Sequence, residues 1–122
     1  MAEEHETTRE EVDASPIDVK LISTITDRAL ALRLNTSTRD EIMGFVDVLH
    51  GSLSLLVGEE LAADSDMVAL AQIHKAKGFL KTRSKPTDVT PPFRAYAWTR
   101  EAASLTRRLL WIWSEKNGVE HP

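Results

Sequence analysis

Asp47-x-x-His50 has the i, i+3 spacing with which one helix offers a carboxylate and an imidazole to a di-iron or di-manganese centre inside a helical bundle. Such a centre needs a second pair of this kind and further carboxylates facing it. The pair occurs once, and on a helical wheel Asp47 falls nearly opposite the apolar stripe through Leu49. The expectation is a solvated Asp47, a half-exposed His50 and no metal. His74 stands beside Lys75 and Lys77, whose charge disfavours cation binding. Glu101 is the acid nearest the apolar stripe of the last predicted helix, where burial would raise its pKa and suit it to general acid work. Arg94 and Arg108, one heptad to either side, are placed to pair with it and turn it into a surface brace. The chain has no HExxH, no glycine-rich phosphate loop and no nucleophile elbow. It also has no cysteine, which excludes thiol nucleophiles, disulfides and cysteine-ligated zinc. The spacing of reactive types therefore predicts no catalytic residue, no cofactor and no metal.

Two groups of residues carry binding chemistry instead. Lys75, Lys77, Lys81, Arg83 and Lys85 form the densest basic run, able to meet phosphate in a salt-dependent way. The same cations would equally complement the end of a helix dipole or pair with acids elsewhere in the chain. The second group lies near the C-terminus, where Leu109-Leu110-Trp111-Ile112-Trp113 puts large apolar side chains on every side of a helix. Trp111 falls on the same side as Phe93, with Arg100 and Arg107 nearby. That mixture of Trp, Phe and Arg is typical of an interface hot spot, so Phe93, Arg100, Arg107, Leu110, Trp111 and Trp113 form a candidate interface. A neighbouring helix covering this flank would instead make Trp111 core, and Trp111→Ala separates the two: a folded monomer for an interface, a sharp loss of thermal stability for core.

The elements that position these groups read as helices. Of 122 residues with net charge −4, the first fourteen carry six acids, one base and a single sizeable apolar side chain, too little to offset the entropy of ordering. They are expected to be a disordered acidic tail, with one domain over 15–118 and a short tail at 119–122. Ser15-Pro16 predicts a cap and first turn, followed by an apolar stripe of Leu21, Ile22, Ile25, Ala29 and Leu32 ending near Asn35. Thr38-Arg39-Asp40-Glu41 is a capping box. The helix it opens carries Ile42, Phe45, Val46, Leu49, Leu53 and Leu56 on one side and Val48 and Leu55 well round from them, predicting the most buried element of the fold. Gly44 and Gly51 are expected to permit close helix approach. Asp64 or Ser65 caps a third helix with Ala69, Leu70, Ile73, Ala76 and Leu80 inward, and Thr82 to Val89 reads as a loop. Thr90-Pro91-Pro92 starts a last helix running to Asn117, about 40 Å at 1.5 Å per residue, with Gly118 as its stop. Its seam is Trp98, Ala102, Leu105, Leu109 and Ile112. Four such helices with short connections and no strand-period alternation predict an all-α fold, an antiparallel four-helix bundle or an irregular helical bundle.

With these segments in view, the chain resembles a family of small uncharacterised actinobacterial proteins, often found in Streptomyces and sometimes labelled natural product biosynthesis proteins. The resemblance covers about residues 38–114. It rests on Leu49-His50-Gly51-Ser52-Leu53-Ser54-Leu55-Leu56 with Glu59-Glu60, on Ala76 to Leu80, and on Ala95-Tyr96, Arg100, Ala102, Leu105-Thr106-Arg107 and Leu109-Leu110. The family pattern has a Leu-Arg-Gly-His-like segment in the first of these; here His50 stands at the Arg position and Ser52 at the His position, so no histidine role passes across. The resemblance implies an actinobacterial, cytoplasmic protein and carries no activity.

Charge is unevenly distributed: residues 1–14 and 15–70 each sum to −5, and residues 71–122 to +6. The N-terminus is acidic where an export signal would be basic then apolar, and no uninterrupted apolar run is longer than that of Leu109 to Trp113, so no signal and no membrane span are expected. The expected role is non-catalytic: binding another protein, or a second copy, through the last helix and the second. One alternative is a nucleic-acid-associated regulator using residues 75–85; another is an accessory enzyme or small-ligand carrier in a biosynthetic pathway.

Overall fold

The computed structural model describes residues 17–59 and 66–118. They form helices α1 (Val19–Leu30), α2 (Arg39–Met43), α3 (Val46–Gly58), α4 (Met67–Thr82) and α5 (Pro92–Lys116), with no strand among the described residues. The short α2 leads into α3 through Gly44 and Phe45, so the architecture is a four-helix bundle.

Local chemistry sets each helix start. The Asp18 carboxylate accepts the Leu21 amide at 3.1 Å, which caps α1 one turn later than Ser15-Pro16 suggested; those two residues lie outside the described ones, as do the acidic tail, Asp64, Ser65 and residues 119–122. The Thr38 box forms in full, hydroxyl to the Glu41 amide and carboxylate back to the Thr38 amide, both at 3.1 Å. Asp66, not Asp64 or Ser65, caps α4 by accepting the Ala69 amide at 3.0 Å. Thr90 does not cap α5, because its hydroxyl is engaged by the Thr87 amide at 2.9 Å; Pro91 occupies the cap position. Gly118 adopts φ +65° just past α5, the left-handed stop that glycine tolerates best.

Tertiary donors shorten α1. It ends at Leu30 rather than near Asn35, because the Arg100 guanidinium takes the Leu30 carbonyl at 3.1 Å and the Tyr96 hydroxyl takes that of Leu32 at 3.1 Å. Carbonyls satisfied from a neighbouring helix need no further turn. Leu32 still buries itself, against Ile42 and Ala95. Leu21 does not join the inner stripe: it stands one residue, about 100° of helical turn, from Ile22, which with Thr26 and Ala29 faces inward, so Leu21 is exposed while they are buried.

Pairings across the bundle fix its directions. Arg107 meets Asp27 and Arg100 meets Leu30, so α1 runs antiparallel to α5. Arg83 meets Glu101 while Ala69 lies by Ile112, so α4 is also antiparallel to α5. His50 stacks on Trp98 and Glu59 accepts from the Trp113 indole at 3.2 Å, so α3 runs parallel to α5. The parallel pair α3 and α5 packs extensively, as does α1 on α5, whereas α1 and α4 pack on this pair rather than on one another. The cross-section is a rhombus with α3 and α5 on its short diagonal.

This arrangement corrects the expected ranking of burial. The element with the widest buried arc is α5, where Ala95, Thr99, Ala103, Thr106 and Leu110 form a second buried flank beside the expected seam. α3 buries Val46, Leu49, Leu53 and Leu56, but Val48 and Leu55 face solvent instead of a second neighbour. Its glycines do not mediate helix contact: a Cβ on Gly51 would meet open space, and one on Gly44 would meet only carbonyls of its own turn. In α4 the unforeseen core residue is Phe79, set against Trp98 at 5.4 Å between ring centres. By length and mean hydropathy alone, Arg39–Gly58 would pass for a membrane span; here Val46, Leu49, Leu53 and Leu56 are core, in the same cluster as Leu105 and Leu109.

Candidate interaction face

The residues weighed for catalysis separate. Asp47 is exposed and receives the Lys85 ammonium at 2.8 Å, and this hydrogen bond, with the charge behind it, holds its carboxyl below the ordinary 3.8. His50 turns the other way, stacked on Trp98 with ring centres 6.3 Å apart and planes 17° from parallel. Glu101 is braced as expected, but by Arg83 at 2.7 Å and not by Arg94 or Arg108. The partner comes from the loop after α4, which sequence spacing within one helix does not reveal. No group of three or more metal-ligating side chains converges among the described residues.

The basic run does not form one surface. Lys75 lines a groove with Leu30, Arg100, Ser104, Arg108 and Glu101, whose carboxylate is taken up by Arg83. Lys77 and Lys81 are exposed on α4. Arg83 and Lys85 join Arg94 around a concavity at the start of α5, and Arg83 also lies over the Phe79 ring at 5.7 Å. Helical turn geometry and the bend at Arg83 divide five neighbours in sequence among three directions.

The candidate interface is largely brought together. Helical spacing puts Phe93, Ala97, Arg100, Ser104, Arg108 and Trp111 on one side of α5, about 120° round from the Leu105–Leu109 seam. Because α1 and α4 flank α5 without closing over it, this side is open to solvent along its length. Phe93 keeps 64% of its surface exposed and Trp111 51%. Four concavities follow one another along this side, from Arg83 and Phe93, past Leu34 and Tyr96, then Lys75 and Arg108, to Val68 and Trp111. Arg107 stands at its α1 edge, paired with Asp27.

Two members of the candidate set belong elsewhere. Leu110 is core at 1% exposure, because the flank of Ala95, Thr99, Ala103 and Thr106 on which it lies is covered. Trp113 is half-buried and directs its indole N–H to Glu59 on the α3 side. Missed by the sequence reading were Ser104 and Arg108, whose seven-residue relation to Ala97, Trp111 and Glu101 was the available signal, and Lys75, which reaches the face from α4.

Electrostatically the middle of this face is positive. Lys75 and Arg108 have no ion-pair partner among the described residues, and Arg100 spends its donors on neutral oxygens: the Leu30 and Leu32 carbonyls and the Tyr96 hydroxyl. The Trp111 end is instead lined by Asp66, Glu115 and Lys116, so the strip is cationic in its middle and toward Phe93 and suits an elongated, partly apolar partner whose acids meet Lys75, Arg100 and Arg108. The chain matches no protein-family model, and no curated protein or solved structure is significantly similar to it.

Proposed function

We propose that this protein is a non-catalytic interaction module that receives an acidic, partly apolar segment of a partner protein along the outer side of α5. The observation that carries this reading is the open trough between α1 and α4, about 27 Å from Phe93 to Trp111 at 1.5 Å per residue, with Arg100, Arg108 and Lys75 between its aromatic ends. A second copy suits this trough poorly, since antiparallel self-docking centred on Ser104 would set Arg100 against Arg108 of the other copy, and like charges held close cost association energy. Division of the 75–85 cations among three directions leaves no continuous basic strip of the kind phosphate tracking uses, which is why the reading rests on α5.

Site-specific photo-crosslinking in the native host tests it. A photoreactive residue at Ser104 is expected to capture a discrete protein, the same residue at Leu55 is not, and Arg108→Glu is expected to abolish the Ser104 adduct. Identical adducts from both positions, an adduct with nucleic acid, or an adduct only with a second copy of the chain would overturn the reading.

A further inference from the structure

At the α5 N-terminus the loop 83–90 folds back to leave a concavity of about 460 Å³, within the roughly 300–1,000 Å³ of small-ligand pockets. Three features of its wall share one chemistry. First, Arg83, Lys85 and Arg94 all line it and no carboxylate does. Glu101 and Asp47, the partners of Arg83 and Lys85, stand outside the wall, and Arg94 has no ion-pair partner among the described residues. Second, α5 begins here without a side-chain cap, so the Phe93 and Arg94 amides are left as donors, Pro92 having none and the Ala95 amide meeting the Pro91 carbonyl, and the helix dipole adds positive potential. Third, Trp98 forms part of the wall and is buried to 3% exposure, yet its indole N–H has no hydrogen-bond partner. Buried donors are satisfied as a rule, and an orphan costs stability unless something outside the chain supplies the acceptor. Arg83 and Lys85 are already matched by carboxylates, but Arg94 and the uncapped amides are donors without acceptors and call for an anion. Phe93, exposed at the rim, supplies flat apolar surface beside it.

We infer that this concavity binds a small oxyanion, phosphate or carboxylate, carried on an aromatic body, with Arg94 and the α5 amides holding the charge, Phe93 the ring, and the Trp98 edge forming the wall behind them. The concavity shares Phe93 with the end of the trough proposed for the protein partner, but the two fail separately, since crosslinking at Ser104 does not report on this pocket and the Trp98 resonance does not report on Ser104.

The test uses the full chain and the indole N–H resonance of Trp98, identified by elimination with Trp111→Phe and Trp113→Phe. Phenyl phosphate and benzoate are titrated in parallel with phenol and inorganic phosphate. At least one of the two aromatic anions is expected to shift the Trp98 resonance saturably. Phenol is expected to leave it unmoved, and inorganic phosphate to act more weakly. Which aromatic anion binds tighter separates phosphate from carboxylate. Arg94→Ala, checked for an unchanged melting curve, is expected to weaken binding about tenfold, the scale of one lost charge-assisted hydrogen bond. The inference is overturned if neither aromatic anion shifts Trp98, if Arg94→Ala binds as well as the parent, or if a single-stranded oligonucleotide shifts Trp98 while both aromatic anions do not.

Discussion

The two helices on the short diagonal of the bundle, α3 and α5, both turn one side to solvent, and those sides differ in kind. On α3 it consists of Val48, Gly51 and Leu55, with Asp47 at its start as a carboxylate already tied to Lys85. On α5 it carries Arg100, Ser104 and Arg108 in a trough walled by α1 and α4, with Arg100 hydrogen-bonded to α1 carbonyls. Exposure of apolar surface is thus common to both central helices and follows from the rhombic packing. What sets α5 apart is relief and charge: a recessed cationic strip selects a partner, while a bare convex face does not.

Substitutions sharpen that contrast. The largest effect is expected in the shared core, where Leu109→Ala, at a position with no exposed surface, should cost about 2–5 kcal/mol in chemical denaturation. Arg100→Met removes donors to the Leu30 and Leu32 carbonyls and to the Tyr96 hydroxyl, and should cost about 1–2 kcal/mol while loosening the end of α1. A thermal melt unaffected by Arg100→Met would mean that α5 grips α1 through packing alone. Thr38→Ala breaks one half of the capping box and should cost about 1 kcal/mol. Leu55→Ser, on the bare side of α3, should change stability by no more than about 0.5 kcal/mol; a loss of several times that would show that something covers α3.

The smallest expected effect concerns pH. The Asp47 carboxyl is depressed by the Lys85 hydrogen bond and charge, so it contributes stability that is present above its unfolded value and lost as pH falls through its lower folded value. In Lys85→Met the Asp47 titration, followed by side-chain carboxyl NMR, should move up toward 3.8, and the acid limb of the stability curve below about pH 4 should flatten slightly. An unchanged Asp47 midpoint would dissolve the link between α3 and the 83–90 loop.

What the sequence made legible follows the range of the interactions concerned. The Thr38 box and the Gly118 stop are decided within four residues and read directly. The α5 seam was visible because Trp98, Leu105 and Leu109 are large; the adjoining flank was not, because Ala95, Thr99, Ala103 and Thr106 bury little area each and carry weak hydropathy. Misreading that flank is what placed Leu110 on the surface. Val48 and Leu55 erred in the opposite sense, since helical periodicity cannot say whether a neighbour exists on the far side. The pairing of Arg83 with Glu101 and the seating of Tyr96 and Arg100 on α1 span 18 to 70 residues and depend on helix directions that only the assembled bundle supplies. For the candidate site, residue types were informative and grouping was not: Phe93, Arg100 and Trp111 do share one side, while the 75–85 cations disperse.

The absence of native cysteine allows the central claim, that α5 is sealed on one flank and open on the other, to be read at two adjacent positions. Ala103→Cys and Ser104→Cys place a thiol on the covered flank and in the trough respectively. Thiol labelling under native conditions should proceed at Ser104→Cys at a rate approaching that of an unfolded peptide. At Ala103→Cys it should be slower by roughly a thousandfold or more, since it must wait for opening that costs at least about 5 kcal/mol. Equal protection at the two positions would contradict the account.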